Sequence, residues 1–317
     1  MSGNRLESVQ TTQSNRSFDY LAYAQLLRLP NVFTALADIG LAWVAAAVVG
    51  SRPGWPVLLL LAAASGCLYL AGMVWNDIFD MEQDRRERPF RPLPSGRVRL
   101  QNAAWLGANL LLLGIAFAGA AAWEAGSWNT ILLAVVLALM ILVYDGWAKR
   151  FWLGPIAMGA CRFLNVLLGL SVAAVDPKWA AVGWHLALVV AVYIAGVTWF
   201  ARTEAGKSSR AALAGAALVM LASLVLGLLW PAWLPPGTSS PAFPYLLVGF
   251  GFLVGLPVSH AMNRPVPKNV QLAVKRAVLG VIILDAILAT ALVGVAGLTL
   301  MLLWLPARFL GKWLYST

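Results

Sequence analysis

Charge is what this sequence has least of. Of 317 residues only 11% are Asp, Glu, Lys or Arg, and 13 are acidic. Soluble domains carry about 25% charged residues. An ordinary cytosolic enzyme is therefore excluded, because too few polar side chains exist to cover its surface. Cysteine and histidine are scarce too, with two of each. Cys67 and Cys161 each sit inside an apolar stretch, where apolar packing is their default role. They offer no disulfide framework and no Cys/His metal spacing. His185 and His260 lie in or at the ends of apolar stretches. Low-complexity tracts, short-period repeats and inserted soluble domains are all missing. The first 20 residues are polar and lack an apolar core, so no cleavable signal peptide is visible. What fills the chain is hydrophobic: 61% of residues, with a mean hydropathy of +0.77. This excludes a disordered chain and points to an integral membrane protein. The formal net charge of +10 then indicates cationic loops at a membrane face, not a nucleic-acid reader, and no nucleic-acid partner is expected.

A spanning helix needs about 20 mostly apolar residues. Nine such stretches occur, at 31–50, 56–79, 103–123, 129–146, 152–174, 181–201, 211–231, 244–262 and 272–294. They are long, rich in Leu and Ala, and do not alternate, so they read as helices and not as barrel strands. A tenth apolar segment, 297–315, carries Trp304, Pro306, Arg308, Lys312 and Trp313. It reads as an interfacial amphipathic tail or as a continuation of the last span. Of the 23 Lys and Arg residues, 18 fall on the N-terminal tail and the even-numbered loops, whereas the opposite loops hold only Arg52 and Lys178. That asymmetry predicts a multi-pass protein of the inner (plasma) membrane with its N-terminus and even-numbered loops cytoplasmic. The expected fold is all-α, a polytopic bundle of about nine transmembrane helices. The expected division is a cytoplasmic segment 1–30, a transmembrane domain 31–296 and an apolar or amphipathic tail 297–317.

The scarce charge is concentrated. Eleven charged residues fall between Asp77 and Arg99, in the run WNDIFDMEQDRRERPFRPLPSGRVR that starts at Trp75. Asp77, Asp80 and Asp84 are spaced i, i+3, i+7, which places them on a single face of one helix. That helix is expected to hold through Arg88 and to stop at Pro89. Pro92, Pro94 and Gly96 then make a fixed, non-helical loop. Stacked carboxylates repel and are costly at a bilayer edge, so a positive partner should offset them. Asp and Asn oxygens suit Mg²⁺, which takes one or two carboxylates and completes its shell with water and substrate phosphate. Arginines nearby can contact diphosphate oxygens. One reading is a Mg²⁺–diphosphate site; the other is a solvated loop whose acids pair with its own arginines.

These residues resemble a known family. Asn76, Asp77, Asp80 and Asp84 at the end of the second span, followed by ERPFRPLPSGRV, look like the first aspartate-rich motif of the UbiA superfamily of membrane prenyltransferases. The opening LLRLPNVFT, with Arg28 and Asn31, is similar to that family's segment entering the first span. Tyr144 with Lys149 and Arg150 resembles its Tyr…Lys-Arg motif, and MGACRFLNVLLG (158–169) resembles the start of its fifth span. The resemblance implies a helical bundle around a central cavity and a Mg²⁺ cofactor held by Asn76, Asp77, Asp80 and Asp84. It also implies a prenyl diphosphate held by Arg28, Arg88, Arg91, Lys149, Arg162 and Arg202. Asp80, Asp84, Tyr144 and Lys149 would be catalytic, and Asn31 and Asn165 would contact substrate. The acceptor would be a hydrophobic aromatic or lipid molecule reached from the bilayer.

One stretch departs from the family pattern. After the sixth span, where a second aspartate-rich motif is usual, the chain reads TWFARTEAGKSSR (198–210). It holds no aspartate, only Glu204, with Arg202, Lys207 and Arg210. Two expectations follow: Arg202 and Lys207 neutralise the diphosphate in place of a second metal, with Glu204 at the substrate, or the protein binds isoprenoids without transferring them. This arginine-containing variant is similar to the UbiA-like EboC subgroup, which is linked to metabolite export. Inside the spans, Asp38, Asp145, Arg162, Asn165 and Asp285 are polar residues in apolar surroundings, where charges face the protein interior or a wet cavity. Arg162 is expected to meet either a diphosphate or one of these aspartates.

Overall fold

The computed structural model describes residues 19–48, 54–173, 177–202, 209–234 and 239–314. Among the described residues there are helices and no strands. A short α1 (Tyr20–Leu26) leads to a 3₁₀ turn, Leu29–Asn31, and then to the first long helix. Among the described residues, nine helices of 17 to 27 residues form the body: α2 (Val32–Val48), α3 (Trp55–Phe79), α5 (Leu100–Ala125), α6 (Asn129–Gly146), α7 (Gly154–Leu170), α8 (Pro177–Ala201), α9 (Arg210–Leu229), α10 (Phe243–Asn263) and α11 (Pro267–Val293). Each coincides with one of the nine apolar stretches. The short α4 (Met81–Glu87) follows α3, and α12 (Trp304–Leu314) closes the chain.

Sequence neighbours pack side by side, and α11 returns to α2, so the nine helices form a closed ring. Across the interior α2 meets α7 and α8 meets α11. Among the described residues, eight helical runs are long and apolar enough to cross a membrane, and α7 is a shorter apolar helix. Large apolar side chains point outward, among them Trp105, Leu112, Leu218 and Phe252, each 65 to 66% exposed. Polar ones point inward, including Thr34, Asp38, Ser65, Arg162, Asn165 and Asp285. This inversion of the soluble pattern is that of an integral membrane bundle.

The apolar run 267–314 is not one rod. At Gly294 the chain takes φ 64 and ψ −152, a region open essentially to glycine alone. Gly294–Leu303 then returns as a 3₁₀ helix against α11 and α2. A Cβ on Gly297 would lie 2.5 Å from the Thr290 nitrogen, so only glycine allows this approach. Leu300 fills the space beside Gly40 in the same way. The return brings α12 to the end that carries α1, where Gln25 Nε2 donates to the Leu314 carbonyl at 3.4 Å. Gly297→Ala is expected to cost about 1–3 kcal/mol by overpacking. Thermal unfolding in detergent reads this as a lower Tm. Ala296→Val, on the exposed side of the same turn, should leave Tm unchanged.

Candidate active site

The aspartate-rich run does not stay on one continuous helix face. The backbone turns at Asp80 (φ −93, ψ 2), which ends α3 and begins α4. Asp77 and Asp84 still share a side: both are 4% exposed, and Arg91 Nη1 lies 3.6 Å from Asp77 Oδ1 and 2.6 Å from Asp84 Oδ2. Asp80 faces another way, toward Lys149, whose Nζ is 2.8 Å from Asp80 Oδ1. Lys149 also donates to Asn76 Oδ1 at 3.0 Å and lies 4.0 Å from Asp145 Oδ1. Glu82, in contrast, is on the outer face. Hydrogen bonds and charge from Arg86 and Arg85 hold its exposed carboxyl below the usual range.

Arg28 completes the group from the far side, donating from Nη2 to Asp77 Oδ1 at 2.7 Å. Its backbone is left-handed (φ 46), alone among the described non-glycine residues. Such strain persists only where the surroundings over-determine it; here the junction of α1 with the Leu29–Asn31 turn does so. Arg91 is positioned by the loop after α4. That loop folds on itself through Ser95 N to Arg91 O and Val98 N to Pro92 O, both 3.0 Å. It is anchored by Leu93 and Val98, which pack against Ala22, Leu26 and Val74. Three carboxylates are thus matched by three cations. Both sequence readings are partly present: Arg91 of the loop does pair with the acids, yet the pairs are drawn together and not dispersed in solvent. Among the described residues no three Asp, Glu, His or Cys side chains converge as a ready-made metal cluster. The oxygen donors fit Mg²⁺ in kind. Each ion pair engages one carboxylate oxygen, which leaves the second oxygen of Asp80 and of Asp84 for a metal.

Asn76 and Arg28 also line a cavity of about 150 Å³ inside the ring. Three helical faces build it: Ser65, Tyr69, Gly72 and Met73 on α3; Leu137, Ile141, Tyr144 and Asp145 on α6; Met158, Cys161, Arg162 and Asn165 on α7. Each set follows the i, i+3/i+4, i+7/i+8 spacing of one helix face. Arg162 is held from three sides. Its Nη1 donates to Asp38 Oδ2 at 3.0 Å, its Nη2 to Thr34 Oγ1 at 2.7 Å, and its guanidinium lies 5.4 Å from the Tyr69 ring centroid. Asn165 donates to Asp38 Oδ2 at 2.8 Å and to the Ala35 carbonyl at 3.0 Å, and accepts from Ser65 Oγ at 2.7 Å.

The structure therefore brings together Asn76, Asp77, Asp80, Asp84, Arg28, Arg91 and Lys149, with Tyr144, Arg162 and Asn165 in the adjoining cavity wall. Arg88 caps the end of α4. Arg202 follows α8 and donates to the Phe151 carbonyl at 2.8 Å, anchoring it to the segment just after Lys149. Asn31 lines a separate pocket toward α11 and α12. Glu204 and Lys207 lie outside the described residues. Sequence reasoning missed Tyr69 and Ser65 as wall residues and Thr34 as the support of Arg162, and treated Cys161 as packing alone. The signal was available as small or polar residues at helical spacing inside apolar spans.

The chain is similar to known membrane prenyltransferases over part of its length. The chain is 31% identical over 146 residues to a 4-hydroxybenzoate octaprenyltransferase from Acidovorax ebreus, covering 45% of this chain and 47% of that protein. It is 30% identical over 193 residues to a protoheme IX farnesyltransferase from Caulobacter vibrioides, covering 59% and 51%. The matched regions thus span about half the length of these relatives. Its fold matches a solved digeranylgeranylglyceryl phosphate synthase with TM-score 0.62 at 20% identity, over 87% of this chain and 98% of that one. It also matches a UbiA homologue from Archaeoglobus fulgidus bound to DMAPP and Mg²⁺, with TM-score 0.57 at 16% identity over 82% and 98%. The family model for UbiA prenyltransferases covers residues 38–262, a range that holds the three ion-paired carboxylates and all of the cavity lining except Arg28 and Ala35. By that match, over most of the ring, the chain belongs to the UbiA prenyltransferase family.

Proposed function

We propose that this protein is a Mg²⁺-dependent intramembrane prenyltransferase that moves an isoprenoid from a prenyl diphosphate to an aromatic or lipidic acceptor. The observation that carries the reading is the junction of a buried cavity, through Asn76 and Arg28, with three carboxylates and three cations at its mouth. The relatives support the reaction class, and the two A. fulgidus homologue structures with DMAPP or GPP support the donor and the metal. In this reading Asn76, Asp80 and Asp84 hold Mg²⁺, with Asp77 beside them. Bound there, Mg²⁺ supplies Lewis-acid withdrawal of charge from the departing diphosphate. Lys149, Arg91 and Arg28, which pair with these carboxylates, would serve the diphosphate oxygens as charge-assisted donors. Arg88 and Arg202 add positive charge at the same end; the roles expected of Lys207 and Glu204 rest on the sequence alone. Tyr144 presents its ring and hydroxyl to the developing allylic cation. The apolar walls from Leu137, Ile141 and Met158 exclude the water that would quench it. In this reading the mouth and the N-terminus face the cytoplasm of a plasma-membrane protein, which the positive-inside asymmetry of the sequence supports.

The test is turnover by the purified protein in nanodiscs with a panel of prenyl diphosphates and acceptors. Diphosphate release is expected with Mg²⁺, and its loss with EDTA. Prenyl diphosphate binding without release across the panel would instead establish the second reading, an isoprenoid-binding or export-associated protein. That reading draws on the lack of aspartate at 198–210.

A further inference from the structure

A larger cavity, about 680 Å³, lies at the same end of the ring but on the other side of Arg28, between the Leu29–Asn31 turn, α11 and α12. Four cations line it: Arg28, Lys275, Arg308 and Lys312. No acidic residue does. Arg28 is committed to Asp77, whereas Lys275, Arg308 and Lys312 have no carboxylate within 4.0 Å among the described residues. Clustered like charges repel, and an anion seated among them offsets that cost.

The rest of the cavity is apolar. Val278, Leu279 and Trp304 form its floor, which continues into the cluster of Phe33, Ala37 and Ile282 between α2 and α11. The Arg308 guanidinium lies over the Trp304 ring, 5.0 Å from its centroid. The outer side of α12 exposes Phe309 (63%) and Trp313 (67%). A helix with aromatic residues on one side and basic residues on another lies in a membrane interface. A cationic rim over an apolar floor at that depth matches an amphiphile with an anionic head, and fits neither a free ion nor a neutral lipid.

We infer that this pocket binds the phosphate headgroup of an anionic lipid, with Lys275, Arg308 and Lys312 on the phosphate and the acyl chains along the apolar floor. The site is distinct from the diphosphate mouth, although Arg28 lines both. It does not depend on the transfer reaction, so it stands or falls by binding alone.

The experiment uses the full chain in nanodiscs of equal parts phosphatidylcholine and phosphatidylglycerol, released and weighed by native mass spectrometry. Wild type is expected to retain phosphatidylglycerol in preference to phosphatidylcholine. The triple variant Lys275→Glu/Arg308→Glu/Lys312→Glu is expected to lose that preference on the order of 10- to 100-fold, since each cation near an anionic head contributes to the attraction. These three side chains are exposed, and an unchanged Tm confirms that the variant folds. Single Lys312→Gln weakens retention less and guards against a folding artefact. The control Arg264→Glu/Lys268→Glu/Arg276→Glu makes the same charge change at the same end, on exposed residues outside the pocket, and should keep the preference. Equal loss in both triple variants would show bulk surface attraction and overturn the pocket. Full displacement of lipid by inorganic phosphate would show a free-phosphate site and overturn the lipid assignment.

Discussion

Asp80→Asn is expected to lower kcat/KM for Mg²⁺-dependent prenyl transfer on the order of 10²–10³-fold, the loss typical when one preorganised electrostatic contact is removed from a transition state. The substitution keeps side-chain volume and removes the charge, so folding should survive. It also removes the partner of Lys149, whose Nζ sits 2.8 Å from Asp80 Oδ1 and 3.0 Å from Asn76 Oδ1. Two roles for that lysine then separate. If Lys149 only balances Asp80 until the metal arrives, Lys149→Met in the Asp80→Asn background costs little more. If it turns to the diphosphate, the two losses add. Additive losses are expected. Asp84→Asn, which frees Arg91, should resemble Asp80→Asn and raise the Mg²⁺ concentration needed for half-maximal rate. Glu82→Gln should change nothing, because Glu82 is exposed and, among the described residues, pairs with Arg85 and Arg86 on the outer face. Wild-type rate and Mg²⁺ dependence in both Asp80→Asn and Asp84→Asn would remove these residues from the site.

The ring was legible because lipid imposes a length and a composition on every span. The fourth apolar stretch, 129–146, matches α6 residue for residue. The aspartate-rich run was legible as chemistry for a different reason: five acids between Asp77 and Glu87 are costly beside a bilayer unless something positive meets them. What meets them was not legible. Arg28 lies 49 positions before Asp77 and reaches it through a left-handed backbone that no glycine announces. The turn at Asp80 has no proline or glycine either, so a single helix face was the natural expectation. It fails because Asp80 swings to Lys149 while Asp77 and Asp84 keep Arg91 between them. The return of 294–303 was hidden by its own composition. GVAGLTLMLL is apolar enough to extend a span, and only the contact of Gly297 with the α11 backbone shows that it folds back.

The partner of Arg162 was open to several acids, and the structure resolves it to Asp38, which leads to the second large expected effect. Arg162→Leu is expected to cost about 3–5 kcal/mol, because it strands a fully buried carboxylate. Asp38 would keep only the Asn165 donor at 2.8 Å. Asp38→Leu should cost a similar amount by stranding the guanidinium with Thr34 and the Tyr69 ring. The double variant Asp38→Leu/Arg162→Leu should recover much of that loss, since an apolar pair of similar volume replaces a buried ion pair with little net change. Asp285 behaves in the opposite way. It lies against Asp38, its two oxygens meet no donor, and Asp38 Oδ1 also lacks one. Asp285→Asn presents an N–H to Asp38 without a second carboxyl beside it, and should leave stability at or slightly above that of wild type. Equilibrium unfolding in mixed micelles reads all four variants. The double variant then isolates chemistry from folding. Arg162 lines the central cavity, so if it also steadies the diphosphate, the stable double variant folds like wild type and turns over slowly. Wild-type stability together with wild-type kcat/KM would confine Arg162 to holding α7 against α2.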